Sequence, residues 1–270
     1  MITAVNHLAF VANDVDAITA DYELVLDRKA ERYRAADGTP FSRFVLSNVA
    51  FEISAANGRP EGLAGLGFEV SDINATVHKL KRRGLVIGDI AAQTFKAVSG
   101  SDIERQHATI DPAGTHGVHF SLVETQSAPA YQSAGSSVSG LDHVVIRSPN
   151  PERAVALYGG RLGLDFALDR TNADWGSRLL FFWSGGVRVE IGHSLAKGVS
   201  DKPDSLWGLA WRVADVAETQ ARLQKAGVNT SEAKAGRRPG SHVLTVRERT
   251  GNVPTVMLSA TQKDTDVAAA

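Results

Sequence analysis

The sequence predicts an α+β fold of four tandem βαβββ units, two to each of two domains, each domain a cupped mixed sheet with its helices outside. Two internal repeats and one break in composition predict it. The first repeat sets Val5-Asn6-His7-Leu8-Ala9-Phe10 against Leu141-Asp142-His143-Val144-Val145-Ile146, strand-like runs with histidine in third place. Further on, Val49-Ala50-Phe51-Glu52-Ile53 stands against Val187-Arg188-Val189-Glu190-Ile191, with glutamate fourth. The His-to-Glu separations are 45 and 47 residues. The second repeat sets Gly65-Leu66-Gly67-Phe68-Glu69-Val70-Ser71-Asp72-Ile73 against Gly208-Leu209-Ala210-Trp211-Arg212-Val213-Ala214-Asp215-Val216. The break is residues 125–140, small and polar, which read as a linker between a domain at 1–124 and another at 141–260. Residues 261–270 read as a frayed tail.

Taken in order, each unit opens on a strand and turns into a helix. The first helix is expected from Asp16 to about Asp27. The second and fourth follow Asp72 and Asp215, aspartates able to accept from the exposed N–H groups of a first turn, and stop at Gly84 and Gly227. The third runs from Pro151 to about Leu162, with Asn150 as cap and Gly163 as stop. The clearest later strands are Arg43–Leu46, Val49–Ser54, Gly117–Glu124, Arg178–Trp183, Val187–Ile191, His242–Val246 and Val253–Ser259.

Composition narrows the function. The 270 residues are 43% hydrophobic and 22% charged, enough to bury a core in each half. Lys+Arg of 29 against Asp+Glu of 30 lacks the basic excess of a nucleic-acid binder. The absence of cysteine excludes disulfides, thiolate nucleophiles and iron–sulfur clusters, so a metal would need His, Glu or Asp. No uncharged apolar run approaches the roughly 18 residues of a membrane span. The N-terminus has no basic region of the signal-peptide kind, so the cytoplasm is the expected location.

A fourfold βαβββ chain with a strand-borne histidine opening each half resembles the vicinal oxygen chelate superfamily, which includes glyoxalase I, bleomycin-resistance proteins, methylmalonyl-CoA epimerase and type I extradiol dioxygenases. The resemblance covers nearly the whole chain and implies two glyoxalase-like domains. In that family two units curl around one divalent metal such as Fe, Mn, Zn or Ni. Position by position, the resemblance places metal ligands at His7 and Glu52 in the first half and at His143 and Glu190 in the second. The other two ligand places fall on Gly65 and about Ser121, and on Gly208 and about Val256. Each half therefore keeps two candidate ligands and loses two. His119, His107 and His242 are the substitutes the strand pattern offers.

The second cup is the expected working site. All four tryptophans, Trp175, Trp183, Trp207 and Trp211, lie there, and aromatic walls suit a ring-shaped or acyl ligand. His143 and Glu190 are the catalytic candidates, as metal ligands or as an acid–base pair. Arg188, Trp183, Trp207 and His242 are candidates for substrate contact. Arg188 either pairs with Glu190, two residues along the same strand face, or meets an anionic substrate. The expected function is a glyoxalase-like or extradiol-dioxygenase-like enzyme on a small aromatic or oxygenated metabolite. The alternative is a metal-free binding protein for an aromatic small molecule, resembling bleomycin-resistance proteins. Neither nucleic acid nor membrane is an expected partner. Four units should complete both cups within one chain, leaving a homodimer open as further self-association.

Overall fold

The computed structural model describes residues 1–125 and 137–259. The predicted tail at 261–270, and most of the predicted linker, lie outside the described residues. The first unit is β1 (Ile2–Ala12), α1 (Val15–Leu26), β2 (Glu31–Arg34), β3 (Pro40–Val45) and β4 (Ala50–Ala55). The second is β5 (Gly62–Val70), α2 (Ile73–Arg82), β6 (Ala91–Ala97), β7 (Ile103–Ile110) and β8 (Phe120–Thr125). The third is β9 (Val138–Arg147), α3 (Pro151–Val155), β10 (Asp165–Asn172), β11 (Ser177–Ser184) and β12 (Val187–Ser194). The fourth is β13 (Ser205–Val213), α4 (Val216–Lys225), β14 (Lys234–Ala235), β15 (His242–Val246) and β16 (Thr255–Ser259).

The helices start where side-chain acceptors were expected. Asp72 accepts from the Ala75 amide at 2.8 Å, Asp215 from Glu218 at 2.8 Å and Asn150 from Arg153 at 3.1 Å. The first helix begins earlier than predicted, because Asp14 rather than Asp16 supplies the cap, accepting from Ala17 at 2.9 Å. After Pro151–Val155 the third helix widens into a π-helical turn, Ala156–Leu162, and stops at Gly163 with φ of 77°. The strand expected from Gly117 starts at Phe120 instead, since residues 112–117 form a turn. β9 begins at Val138, inside the segment read as a linker.

The two halves share strand order up to one closure. In the first, the order β1-β4-β3-β2-β6-β7-β8-β5 closes on itself as a barrel. The seam is two residue pairs between β2 and β6, Tyr33 with Ala97 and Arg34 with Lys96. In the second, the order β10-β11-β12-β9-β13-β16-β15-β14 leaves an open eight-stranded sheet.

The core is a further departure. One large apolar cluster spans both sheets, and a smaller one of Tyr33, Phe41, Phe95 and Ile103 lies within the first. Trp211, fully buried, packs edge-on against Phe51 at 5.9 Å, and Phe120 meets Tyr158 at the same separation. Tyr22 on α1 donates to the Thr250 carbonyl at 3.0 Å. Asn48, in the turn between β3 and β4, donates to Leu141 O at 2.8 Å and accepts from Leu141 N at 2.9 Å, pinning β9 beside the residues of interest.

Candidate functional site

The parallel pairing of first and fourth strands fixes the same register twice. His7 stands opposite Ala50 and Ala9 opposite Glu52. His143 stands opposite Arg188 and Val145 opposite Glu190. Each glutamate therefore lies one pleat along the cup face from its histidine. His7 Nε2 is 3.7 Å from Glu52, and His143 Nε2 is 3.6 Å from Glu190. Both distances exceed hydrogen-bond reach.

The first pair is neutralised by its surroundings. Arg105 on β7 donates to both Glu52 oxygens, at 2.9 and 3.0 Å, and its Nε donates to Gln93 at 2.7 Å. Arg43 on β3 adds a contact at 3.6 Å. Burial alone would raise the Glu52 carboxyl, but the two arginines outweigh it and hold it at about 2. Burial also drives His7 down to about 3, with the arginines adding to the effect against Glu52. His7 is therefore neutral at neutral pH, so the arginines carry the charge of Glu52. The ring is sunk because Gly67 lies beneath it: a Cβ there would sit 2.1 Å from a ring carbon.

The second pair is built differently at each of these places. Arg43 pairs across the sheet with Glu52, whereas Phe181 takes that place against Glu190. Arg105 has Gly240 at the matching distance along the repeat, as His107 has His242. Gly67 pairs with His7, whereas Ala210 pairs with His143. Among the described residues no arginine pairs with Glu190, and it lines a cavity of about 1000 Å³ against about 530 Å³ in the first half.

Behind His143 stands Asp142, buried at 1% exposure. His143 Nδ1 donates to Asp142 Oδ1 at 2.8 Å, the carboxylate being acceptor only. That fixes the tautomer with Nε2 as the acceptor atom facing Glu190. Burial would raise Asp142, but His143, Arg188 and Arg212 outweigh it and hold the carboxyl at about 2. The expectation that Arg188 pairs with Glu190 is corrected: Arg188 donates to Asp142 at 2.8 Å and stacks on Trp183 at 4.6 Å. In the first half Asn6 occupies the place of Asp142 and holds His7 Nδ1 at 2.8 Å without a charge.

The remaining candidates fall in several places. Trp207 and Trp175 line the second cavity, whereas Trp211 belongs to the core. Trp183 lies under Arg188 and outside the cavity lining. His242 is exposed on β15, its backbone tied to Ser259. His107 and His119 line the first cavity with His7. His193, buried, lines the second and donates from Nδ1 to the Ser148 carbonyl at 3.2 Å.

The residues do not fit a resident metal of the family type. A catalytic zinc or iron centre takes three protein ligands and keeps an open position. Among the described residues no group of three or more His, Asp or Glu is placed to hold an ion. Glycine at 65 and 208 is also imposed by space. A Cβ at Gly65 would lie 2.9 Å from the His119 carbonyl oxygen, and one at Gly208 would lie 2.8 Å from that of Pro254. A histidine at either place would require the neighbouring backbone to move.

Two sheets of tandem βαβββ units, each with a His–Glu pair on its first and fourth strands, define the fold. Residues 142–245 match a family model described as the Glyoxalase/Bleomycin resistance protein/Dioxygenase superfamily. Among solved structures it is similar to a mutant 4-hydroxymandelate synthase from Streptomyces coelicolor, at 13% identity and a TM-score of 0.69, covering 100% of this chain and 97% of that one. A halotolerant catechol dioxygenase is similar at 12% identity and a TM-score of 0.63, over 96% and 87% of the two chains. A xylose isomerase-like TIM barrel/4-hydroxyphenylpyruvate dioxygenase fusion protein is similar at 14% identity and a TM-score of 0.62, covering 99% of this chain and 51% of that one. No curated protein matches the sequence. Among the described residues no helix is long and apolar enough to cross a membrane.

Proposed function

We propose that the second cup is the working site and that it moves a proton on a small oxygenated or aromatic metabolite, with His143 and Glu190 as the acid–base pair. The observation that carries this reading is the line Asp142–His143–Glu190, with Nδ1 held at 2.8 Å and Nε2 turned toward a carboxylate at 3.6 Å. A buried carboxylate behind an imidazole fixes its tautomer and stabilises the imidazolium formed when Nε2 accepts a proton. Glu190, with no arginine against it among the described residues, lines the second cavity, whereas His143 stands 3.6 Å behind it outside the lining; Glu190 can take or return a second proton. That arrangement suits abstraction of a proton next to a carbonyl, followed by its return.

The test is exchange of carbon-bound hydrogen in D2O, followed by proton NMR across a panel of 2-oxo acids and ketones. The wild type should exchange at least one compound, and His143→Gln and Glu190→Gln should lose that exchange while keeping their fold. Exchange at the wild-type rate in both variants would sink the assignment. A second reading, a metal-free binding protein, is favoured by the exposed rings of Trp175 and Trp207 at the cavity mouth. Tight binding of a compound that never exchanges would select it.

A further inference from the structure

The second cup carries an excess of cations. Arg147, Lys197, Lys202 and Arg237 line it against a single carboxylate, Glu190, in a chain whose formal charge is −1. Among the described residues no ion pair joins any of these four cations to a carboxylate. Cations gathered around a concave surface without a paired carboxylate repel one another, so the arrangement gains most from an anion placed between them.

Two of the four are held in place by rings. The Arg147 guanidinium lies 4.1 Å from the centre of the Trp207 ring, and that of Arg237 lies 4.3 Å from Trp175. Stacking engages the flat face of a guanidinium and leaves its in-plane N–H fork free for two oxygens of a carboxylate or phosphate. It also reduces the side-chain freedom that a long cation loses on binding.

Arg147 and His143 stand at different heights on β9. On β9, His143, Val145 and Arg147 alternate onto one face of the strand. At about 3.3 Å per residue, Arg147 is about 13 Å along the strand from His143. Between them the cup is lined by Val145, Leu179 and Gly192, with Glu190 beside Val145.

We propose that the second cup contains an anion subsite, made by the Arg147–Trp207 and Arg237–Trp175 stacks with Lys197 and Lys202, which holds the oxyanion terminus of an elongated substrate whose reacting carbon lies about 13 Å away at His143. This rests on the acid–base reading of the cup and adds the substrate class: a molecule with a terminal phosphate or carboxylate joined to an apolar or aromatic body.

Calorimetric titration of the full chain at low salt with phenyl phosphate, benzoate and inorganic phosphate tests the subsite directly. Phenyl phosphate should bind saturably, and Arg147→Gln and Arg237→Gln should each weaken it about tenfold. Arg170→Gln, which removes a cation from beside Trp175 but outside the cavity, should leave it unchanged. Benzoate binding as tightly as phenyl phosphate identifies a carboxylate terminus, and weaker binding a phosphate. His143→Gln should retain binding, so failure of the subsite is separable from failure of the proton-transfer chemistry. No saturable binding of any of the three by wild type, or equal affinity in both arginine variants and wild type, overturns the proposal.

Discussion

Replacing Arg105 with methionine should cost the protein about 3 kcal/mol of stability. The guanidinium is buried at 5% exposure and gives Glu52, at 4%, two hydrogen bonds of 2.9 and 3.0 Å. Removing one partner of a buried pair typically costs about 3–5 kcal/mol, because the survivor stays buried and uncompensated. The lower end applies because Arg43 remains at 3.6 Å, while neutral His7 cannot replace the lost charge. For a chain of this size the change corresponds to a fall in Tm of roughly 6–10 °C. Urea unfolding followed by tryptophan emission is a suitable assay, since Trp211 sits in the core shared by both halves. The midpoint should move with the slope unchanged. Arg105→Met combined with Glu52→Gln should cost less than the sum of the two single changes, by about 2 kcal/mol. A loss under about 1 kcal/mol, or simple additivity, would refute the claim that this pair stabilises the first barrel.

Two further outcomes follow from the same cup. Gly67→Ala places a Cβ 2.1 Å from the His7 ring, which must swing off its seat; roughly 1–3 kcal/mol should be lost in urea unfolding, and His7 should titrate by NMR closer to an ordinary histidine. Acid should weaken the wild type from about pH 6.5 downward: between its unfolded value of 6.5 and its folded value of about 3, His7 binds a proton only when unfolded, so stability falls with pH across that window. Glu52 and Asp142, both held near 2, add their loss below the ordinary carboxylate range. The slope between pH 6.5 and 4.5 should approach about 1.4 kcal/mol per pH unit, and His7→Gln should flatten it; parallel curves for the two proteins would contradict the buried neutral ring.

Duplication made the strand pattern legible. His7 with His143 and Glu52 with Glu190 could be matched because each stands in a period-two run at a nearly constant separation, and parallel pairing preserves that register. Asp142 carries no such signal. Neighbours on a strand point to opposite faces, which argues against contact between Asp142 and His143, yet the short carboxylate reaches back to Nδ1. Arg105 could not be assigned to Glu52, 53 residues away, because no periodicity links a β7 guanidinium to a β4 carboxylate. The unequal closure of the halves was equally hidden, since two residue pairs decide it.

That closure gives the halves different mechanical characters. The first is a hoop: widening it means parting the amide–carbonyl ladder between Tyr33–Arg34 and Lys96–Ala97. The second is a clasp. Its edge strands, β10 and β14, share no ladder among the described residues, and Trp175 takes Arg170 from one rim and Arg237 from beyond the other, at 4.9 and 4.3 Å. Ring-to-cation contacts of this exposed kind hold about 0.5–1 kcal/mol each, so thermal motion can part them. One copy of the repeat is a closed ring, while the other can spread at its rims without surrendering a single strand.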